Sequence, residues 1–163
     1  MFCQTYEMKE KLKILFLCTG NSCRSQMAEG WAKKLRADDI DAYSAGVETK
    51  PVDPRAIKAM AEVGVDISEQ RSKHVSEFKD LEFDYVITLC GQAQEICPLF
   101  PGQTKVVHRG FEDPPQLAAH AKTEEAAMSH YRRIRDEIKE FVLCIPANLV
   151  DTGLVFLKED AES

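Results

Sequence analysis

Apolar and polar positions along the chain sort into short continuous runs and longer runs of helical spacing. Lys13-Ile-Leu-Phe-Leu17 is apolar after its first residue, the pattern of a strand buried on both faces. A polar turn with Gly20 follows, and from Ser25 to Leu35 the residues Met27, Ala28, Trp31, Ala32 and Leu35 recur at helical spacing. Ala42-Tyr-Ser-Ala45 predicts a second strand, ended by Gly46. Pro54 suits a helix start, and the helix after it is expected to turn Ile57, Met60 and Ala61 inward before Gly64 closes it. Asp84 to Leu89 and Lys105 to His108 predict a third and a fourth strand. Thr123 to Leu143 predicts a long helix with Ala127, Tyr131, Ile134, Ile138 and Phe141 inward, and the charges between Tyr131 and Lys139 are expected on its solvated face. Pro146 is expected to stop that helix, and Leu149 to Leu157 to form a short appended element. Strands alternating with helices predict an α/β fold, a three-layer sandwich around a four-stranded parallel sheet with right-handed crossovers. The expected domain is single, residues 1–163, with its core at about 13–143 and polar tails at both ends.

Composition narrows the classes of function. With 44% hydrophobic and 29% charged residues in 163, the chain can build a core, which argues against disorder. The net charge of −6, from 27 acidic and 21 basic residues, argues against a general nucleic-acid binder, though a local anion site stays open. No apolar run approaches the roughly 20 residues of a membrane span, and the first residues lack a secretory pattern. A cytoplasmic protein without membrane or nucleic-acid partners is expected. Six cysteines are too sparse for a disulfide scaffold, so they are candidates for nucleophilic or redox work. His74, His108, His120 and His130 show no metal spacing with them, and no metal site is expected.

The chemistry gathers at the carboxyl end of the first strand, where Cys18-Thr-Gly-Asn-Ser-Cys-Arg-Ser25 runs into a helix. Ligands of open α/β sheets bind at such edges. A loop entering a helix turns several N–H groups on one point, aided by the helix dipole. Those donors would hold an oxyanion and also lower the pKa of Cys18, giving a nucleophile at neutral pH. Arg24 adds a planar fork of donors matched to a tetrahedral oxyanion, and Ser25 can donate to the thiolate. Asp113-Pro114 follows the fourth strand at the same edge, where a carboxylic acid could protonate a leaving oxygen. Cys90 ends the third strand, and Cys97 follows before Pro98.

Cys18 to Ser25 resembles the signature loop of the low-molecular-weight protein tyrosine phosphatase superfamily. Gln26-Met-Ala-Glu-Gly-Trp31, Tyr43-Ser-Ala-Gly46 and Thr88-Leu-Cys90 resemble one branch of it, the arsenate reductases regenerated through thioredoxin. The likeness runs from about Lys13 to Phe141. Typical phosphatases of the fold carry proline after the Arg-Ser pair, where this chain has Gln26.

The resemblance implies that Thr19, Gly20, Asn21, Ser22, Cys23, Arg24 and Ser25 bind arsenate, with phosphate or sulfate as competitors. It further implies Cys18 as nucleophile, Asp113 as acid in preference to Glu112, and a relay ending in a Cys90–Cys97 disulfide. No bound cofactor is implied; thioredoxin or another dithiol is the reductant. Cys23 is read as structural, Cys3 as a tail thiol and Cys144 as helix packing. The alternative reading is a tyrosine phosphatase using Cys18, Arg24 and Asp113, which would want aromatic walls around its pocket; a non-catalytic anion-binding module is a third. Some members of the branch bind a monovalent cation through positions matching Asn21, Glu29 and Ser44 plus an acidic side chain. That last position falls at Lys73 here, whose ammonium is expected to take the ion's place and donate to Glu29.

Overall fold

A computed structural model describes residues 10–90 and 104–149. Strand β1, Leu12–Cys18, leads into helix α1, Arg24–Leu35, and β2, Ile40–Gly46, into α2, Pro54–Ala61. A 3₁₀ turn at Val75–Phe78 precedes β3, Tyr85–Thr88, and β4, Lys105–His108. Two helices follow, α3 at Pro114–Ala118 and α4 at Glu124–Leu143. The four strands are parallel in the order β2-β1-β3-β4, the sheet that the alternating pattern predicts.

The apolar run of β1 is explained by this order. β1 pairs with β2 from Leu12↔Ile40 to Cys18↔Gly46 and with β3 from Ile14↔Tyr85 to Leu17↔Thr88. Its alternate residues then face opposite layers. Ile14 and Phe16 join the larger core under α1, α2 and α4, built from Met27, Trp31, Met60, Ile134 and Ile138 among others. Leu15 and Leu17 join a smaller cluster with Ala45, Phe83 and Val86, against which Tyr43, Val75 and Phe78 pack. The rings of Tyr43, Phe78 and Phe83 meet there edge to face, with centroids 5.4–6.0 Å apart.

Three local expectations need correction. α2 buries Ala56, Ala59 and Met60, while Ile57 is half-buried and Ala61 exposed. Its orientation is set by the N-cap, where Asp53 accepts from the Arg55 N–H at 2.9 Å. The charged stretch of α4 is not wholly solvated, because Arg135 is buried. It donates to the Ala59 carbonyl at 3.0 Å and its own carbonyl accepts from Trp31 Nε1 at 3.0 Å, fixing α4 to α2 and α1. Cys144, expected as packing, caps α4 and is disulfide-bonded. The expected element after Leu149 and the tail thiol Cys3 lie outside the described residues. No helix among the described residues is long and apolar enough to cross a membrane.

Candidate active site

β1 ends at Cys18 in the middle of the sheet, and the chain turns through Thr19–Cys23 into α1. Asn21 makes the turn, with φ of 51°, a left-handed conformation in which Asn is enriched among non-glycine residues. Its side chain is fully buried and shared out: Nδ2 donates to Ser25 Oγ at 2.8 Å and Oδ1 accepts from the Lys73 N–H at 2.8 Å. Gln26 ties the loop from behind, donating to the carbonyls of Asn21 at 2.9 Å and Arg71 at 3.0 Å. Gln70 in turn donates to Gln26 Oε1 at 2.8 Å. A proline at this position could make none of these bonds, so the departure from the phosphatase pattern couples the loop to the segment around Arg71.

The first-turn N–H groups of a helix lack intrahelical partners. Here the N-cap position is Cys23, which supplies no side-chain cap, and the first turn has no acid. Those donors and the positive end of the helix remain for an anion. Arg24 donates to the Phe111 carbonyl at 2.9 Å and pairs with Asp113 at 3.4 Å. Its Nε is buried without any hydrogen-bond partner. A buried guanidinium donor left open in this way marks a place for a ligand oxygen.

Cys18 and Cys90 are both buried and form a cluster of their own at the ends of β1 and β3. Ser25 Oγ lies 2.8 Å from Cys18 Sγ; because Asn21 donates to that oxygen, the Ser25 proton is free to point at sulfur. The Cys18 thiol is lowered to about 6, first by its hydrogen bond with Cys90, then by the Ser25 side chain and N–H and by Arg24, with burial opposing. Cys90 moves the opposite way, raised by the same bond with Cys18 and by burial, although it accepts from the Thr19 N–H at 2.9 Å. One thiolate is thus shared by the pair and resides on Cys18. Burial pushes Cys23 up, which keeps it a neutral thiol within the loop.

Asp113 is the N-cap of α3, yet its carboxylate makes no cap bond and stays available to the cavity. Pro114 opens this short helix, as proline often does at a first helical position. Glu112 points elsewhere, accepting from Arg133 at 2.6 Å. The cavity holds about 150 Å³ and is lined by Cys18, Thr19, Gly20, Ser22, Cys23, Arg24, Lys50, Asp113 and Pro115. No aromatic ring stands among these described lining residues. Lys50 was missed from the sequence, since no motif connects it to the loop. Cys97 lies outside the described residues.

Beside the loop, Glu29 is buried and accepts from Ser44 Oγ and Lys33 Nζ. Lys73 Nζ stands 3.7 Å from Glu29 and donates to the Arg71 carbonyl at 2.8 Å. The ammonium thus faces Glu29 as an ion-pair partner, while its hydrogen bond goes to a backbone oxygen. Among the described residues no group of three or more His, Cys, Asp or Glu side chains is arranged to hold a metal ion.

An arsenate reductase of Halalkalibacterium halodurans is 51% identical over 128 residues, 78% of this chain and 90% of that protein. Another from Bacillus subtilis is 49% identical over 138 residues, 82% of this chain and 96% of that protein. The solved structure of an arsenate reductase in the phosphate binding state superposes with a TM-score of 0.66 at 36% identity, covering 87% of this chain and 98% of that one. The family of low molecular weight phosphotyrosine protein phosphatases matches residues 13–143, from β1 to the end of α4. With the parallel sheet, the Cys18 loop and Asp113 all inside that span, the chain belongs to the low molecular weight phosphotyrosine protein phosphatase family.

Proposed function

We propose that this protein reduces arsenate to arsenite through a cysteine relay, as the named activity of its relatives suggests. The observation that carries the reading is the burial of Cys18 and Cys90 against each other, with the open Arg24 donor beside them. Hydrolysis of a phosphate ester needs one such thiol; a reduction needs a second within reach.

In the proposed sequence, arsenate enters the loop from Thr19 to Ser25 and is held by Arg24 and N–H groups. The Cys18 thiolate attacks arsenic, a sulfur–arsenic bond forms, and one oxygen departs as water with a proton from Asp113. Cys90 then attacks Cys18 sulfur; a disulfide forms, and the electron pair of the broken sulfur–arsenic bond reduces arsenic from the pentavalent to the trivalent state. Cys97 attacks Cys90, freeing Cys18 as a thiolate and leaving Cys90–Cys97 for reduction by an external dithiol. Thioredoxin is the reductant proposed, and the need for it sets the reaction in a reducing compartment, the cytoplasm. The same thiolate, clamp and acid would support slow hydrolysis of aryl phosphates as a side activity.

The test is arsenite production with thioredoxin, thioredoxin reductase and NADPH, run beside hydrolysis of an aryl phosphate. Cys18→Ser should lose both activities by at least about 10³-fold, as nucleophile removal does in other enzymes. Cys90→Ser and Cys97→Ser should stop repeated turnover of arsenate and spare ester hydrolysis. Normal turnover by Cys97→Ser would remove the relay from this protein.

A further inference from the structure

We propose that Lys50 recruits the oxyanion to this site, setting the affinity for arsenate or phosphate more than the rate of the chemical step. The proposal rests on reading the cavity as an oxyanion site. Lys50 lines it together with Cys18, Arg24 and Asp113, although it belongs to the segment that follows β2. That placement is built by the backbone. The Glu48 N–H donates to the Thr19 carbonyl at 3.0 Å and the Lys50 N–H to the Gly20 carbonyl at 3.0 Å, while Ser72 Oγ donates to the Lys50 carbonyl. The segment therefore runs alongside the signature loop and is fixed to it.

The side chain then lies across Gly20. A Cβ added at Gly20 would come within 3.2 Å of Lys50 Cδ and 3.3 Å of its Cγ, so a glycine at that position leaves the lysine stem its path to the cavity mouth. At the tip, Lys50 Nζ stands 3.5 Å from Glu48, with both side chains more than half exposed, at 65% and 55%. An exposed pair of this kind contributes little, and the ammonium can exchange Glu48 for a dianion at small cost.

Charge balance gives that exchange its direction. The chain as a whole is acidic, at −6. Inside the cavity Arg24 is paired with Asp113 and also faces the Cys18 thiolate. The charge of Arg24 is thus already divided between Asp113 and Cys18 before an anion arrives. Lys50 brings a second cation to the entrance, one able to turn from Glu48 to the anion.

Lys50→Met keeps an unbranched apolar stem over Gly20 and removes the charge. The reduced variant should bind inorganic phosphate about fivefold more weakly at low ionic strength, read as protection of Cys18 from iodoacetamide. The arsenate KM should rise by a similar factor with kcat within about twofold of wild type. Lys50→Arg should restore both values, and Glu48→Gln, which releases the ammonium, should lower them. The gap between Lys50→Met and wild type should close in about 1 M salt, where the screening length falls to about 3 Å. An unchanged phosphate affinity in Lys50→Met, a fall in kcat at constant KM, or an equal defect in Lys50→Arg would overturn the assignment. Phosphate binding that depends on Lys50 in a protein yielding no arsenite would sink the reductase reading and leave this one standing. Arsenite production with a Lys50-independent phosphate affinity would do the reverse.

Discussion

At the scale of single side chains, the pull on the Cys18 thiol comes from its neighbours in a definite order, Cys90 ahead of Ser25 and Arg24. A thiol lowered to about 6 is thiolate above that pH and loses reactivity as pH falls through it. Alkylation of Cys18 in the reduced protein, followed by mass spectrometry of its peptide, should therefore show a midpoint near 6, well below the usual thiol range of about 8.5. Cys90→Ala removes the leading hydrogen bond and should move the midpoint upward; an unmoved midpoint would transfer the effect to Ser25 and Arg24. Lys73 carries a second expectation. Burial pulls its ammonium down while Glu29 opposes that shift, and it stands 3.7 Å from Glu29, where we propose that it takes the place of a cation. Potassium should thus give no activation beyond that of a bulky organic cation at matched ionic strength, and Lys73→Ala should become potassium-responsive. Specific activation of the wild type would show that the lysine does not replace the ion. The convergence of Cys18, Arg24 and Asp113 was legible because two lie in one contiguous string and the third sits in an Asp-Pro pair after a strand. Lys50 was not, since its place depends on backbone bonds between segments that no motif joins.

At the scale of elements, strands were read well and helix faces less so. β1 announces itself because both of its faces are buried, whereas α2 is a short helix whose orientation follows from the Asp53 cap and from Arg135 reaching the Ala59 carbonyl. Neither influence is visible in apolar spacing. Two glycines separate backbone from side-chain constraint. A Cβ at Gly46, the last residue of β2, would lie 2.5 Å from the Glu48 carbonyl oxygen, 2.7 Å from that of Thr19 and 2.8 Å from the Asn21 nitrogen. All three atoms belong to backbone that shapes the signature loop, so none can yield cheaply. At Gly30 in α1 the nearest atom, at 2.6 Å, is Cγ2 of the buried Ile67, a side-chain rather than a backbone atom, and alanine would regain about 1 kcal/mol of helix propensity against the cost of moving it. Urea unfolding should place Gly46→Ala at a loss of about 3 kcal/mol or more and Gly30→Ala nearer 1 kcal/mol. Gly46→Ala should also lose phosphate protection of Cys18. The opposite ranking would mean that the loop backbone is freer than these contacts allow.

At the scale of the whole molecule, α4 reaches the signature loop indirectly. Tyr131 Oη donates to Asp53 at 2.5 Å, and the Asp53 N–H donates to the Ser22 carbonyl at 2.8 Å. The overall architecture was legible because alternating strands and helices admit few arrangements; these cross-links were not, since each joins residues far apart in the chain. The central position of β1, hydrogen-bonded on both sides, has a further consequence. A strand in the middle of a sheet cannot fray by itself, so losing the strand that ends at Cys18 means losing the sheet, and the candidate anion site at its end is lost only with global unfolding. Phosphate at about 100 times its dissociation constant would then add about 2.7 kcal/mol to the unfolding free energy. Calorimetry should record a rise of roughly 2–4 °C in Tm for each kcal/mol, and a flat Tm under saturating phosphate would disconnect the loop from global unfolding. In a phosphate-rich cell the competitor that slows turnover would also act as a resident chaperone, lengthening the protein's life against proteolysis until arsenate displaces it.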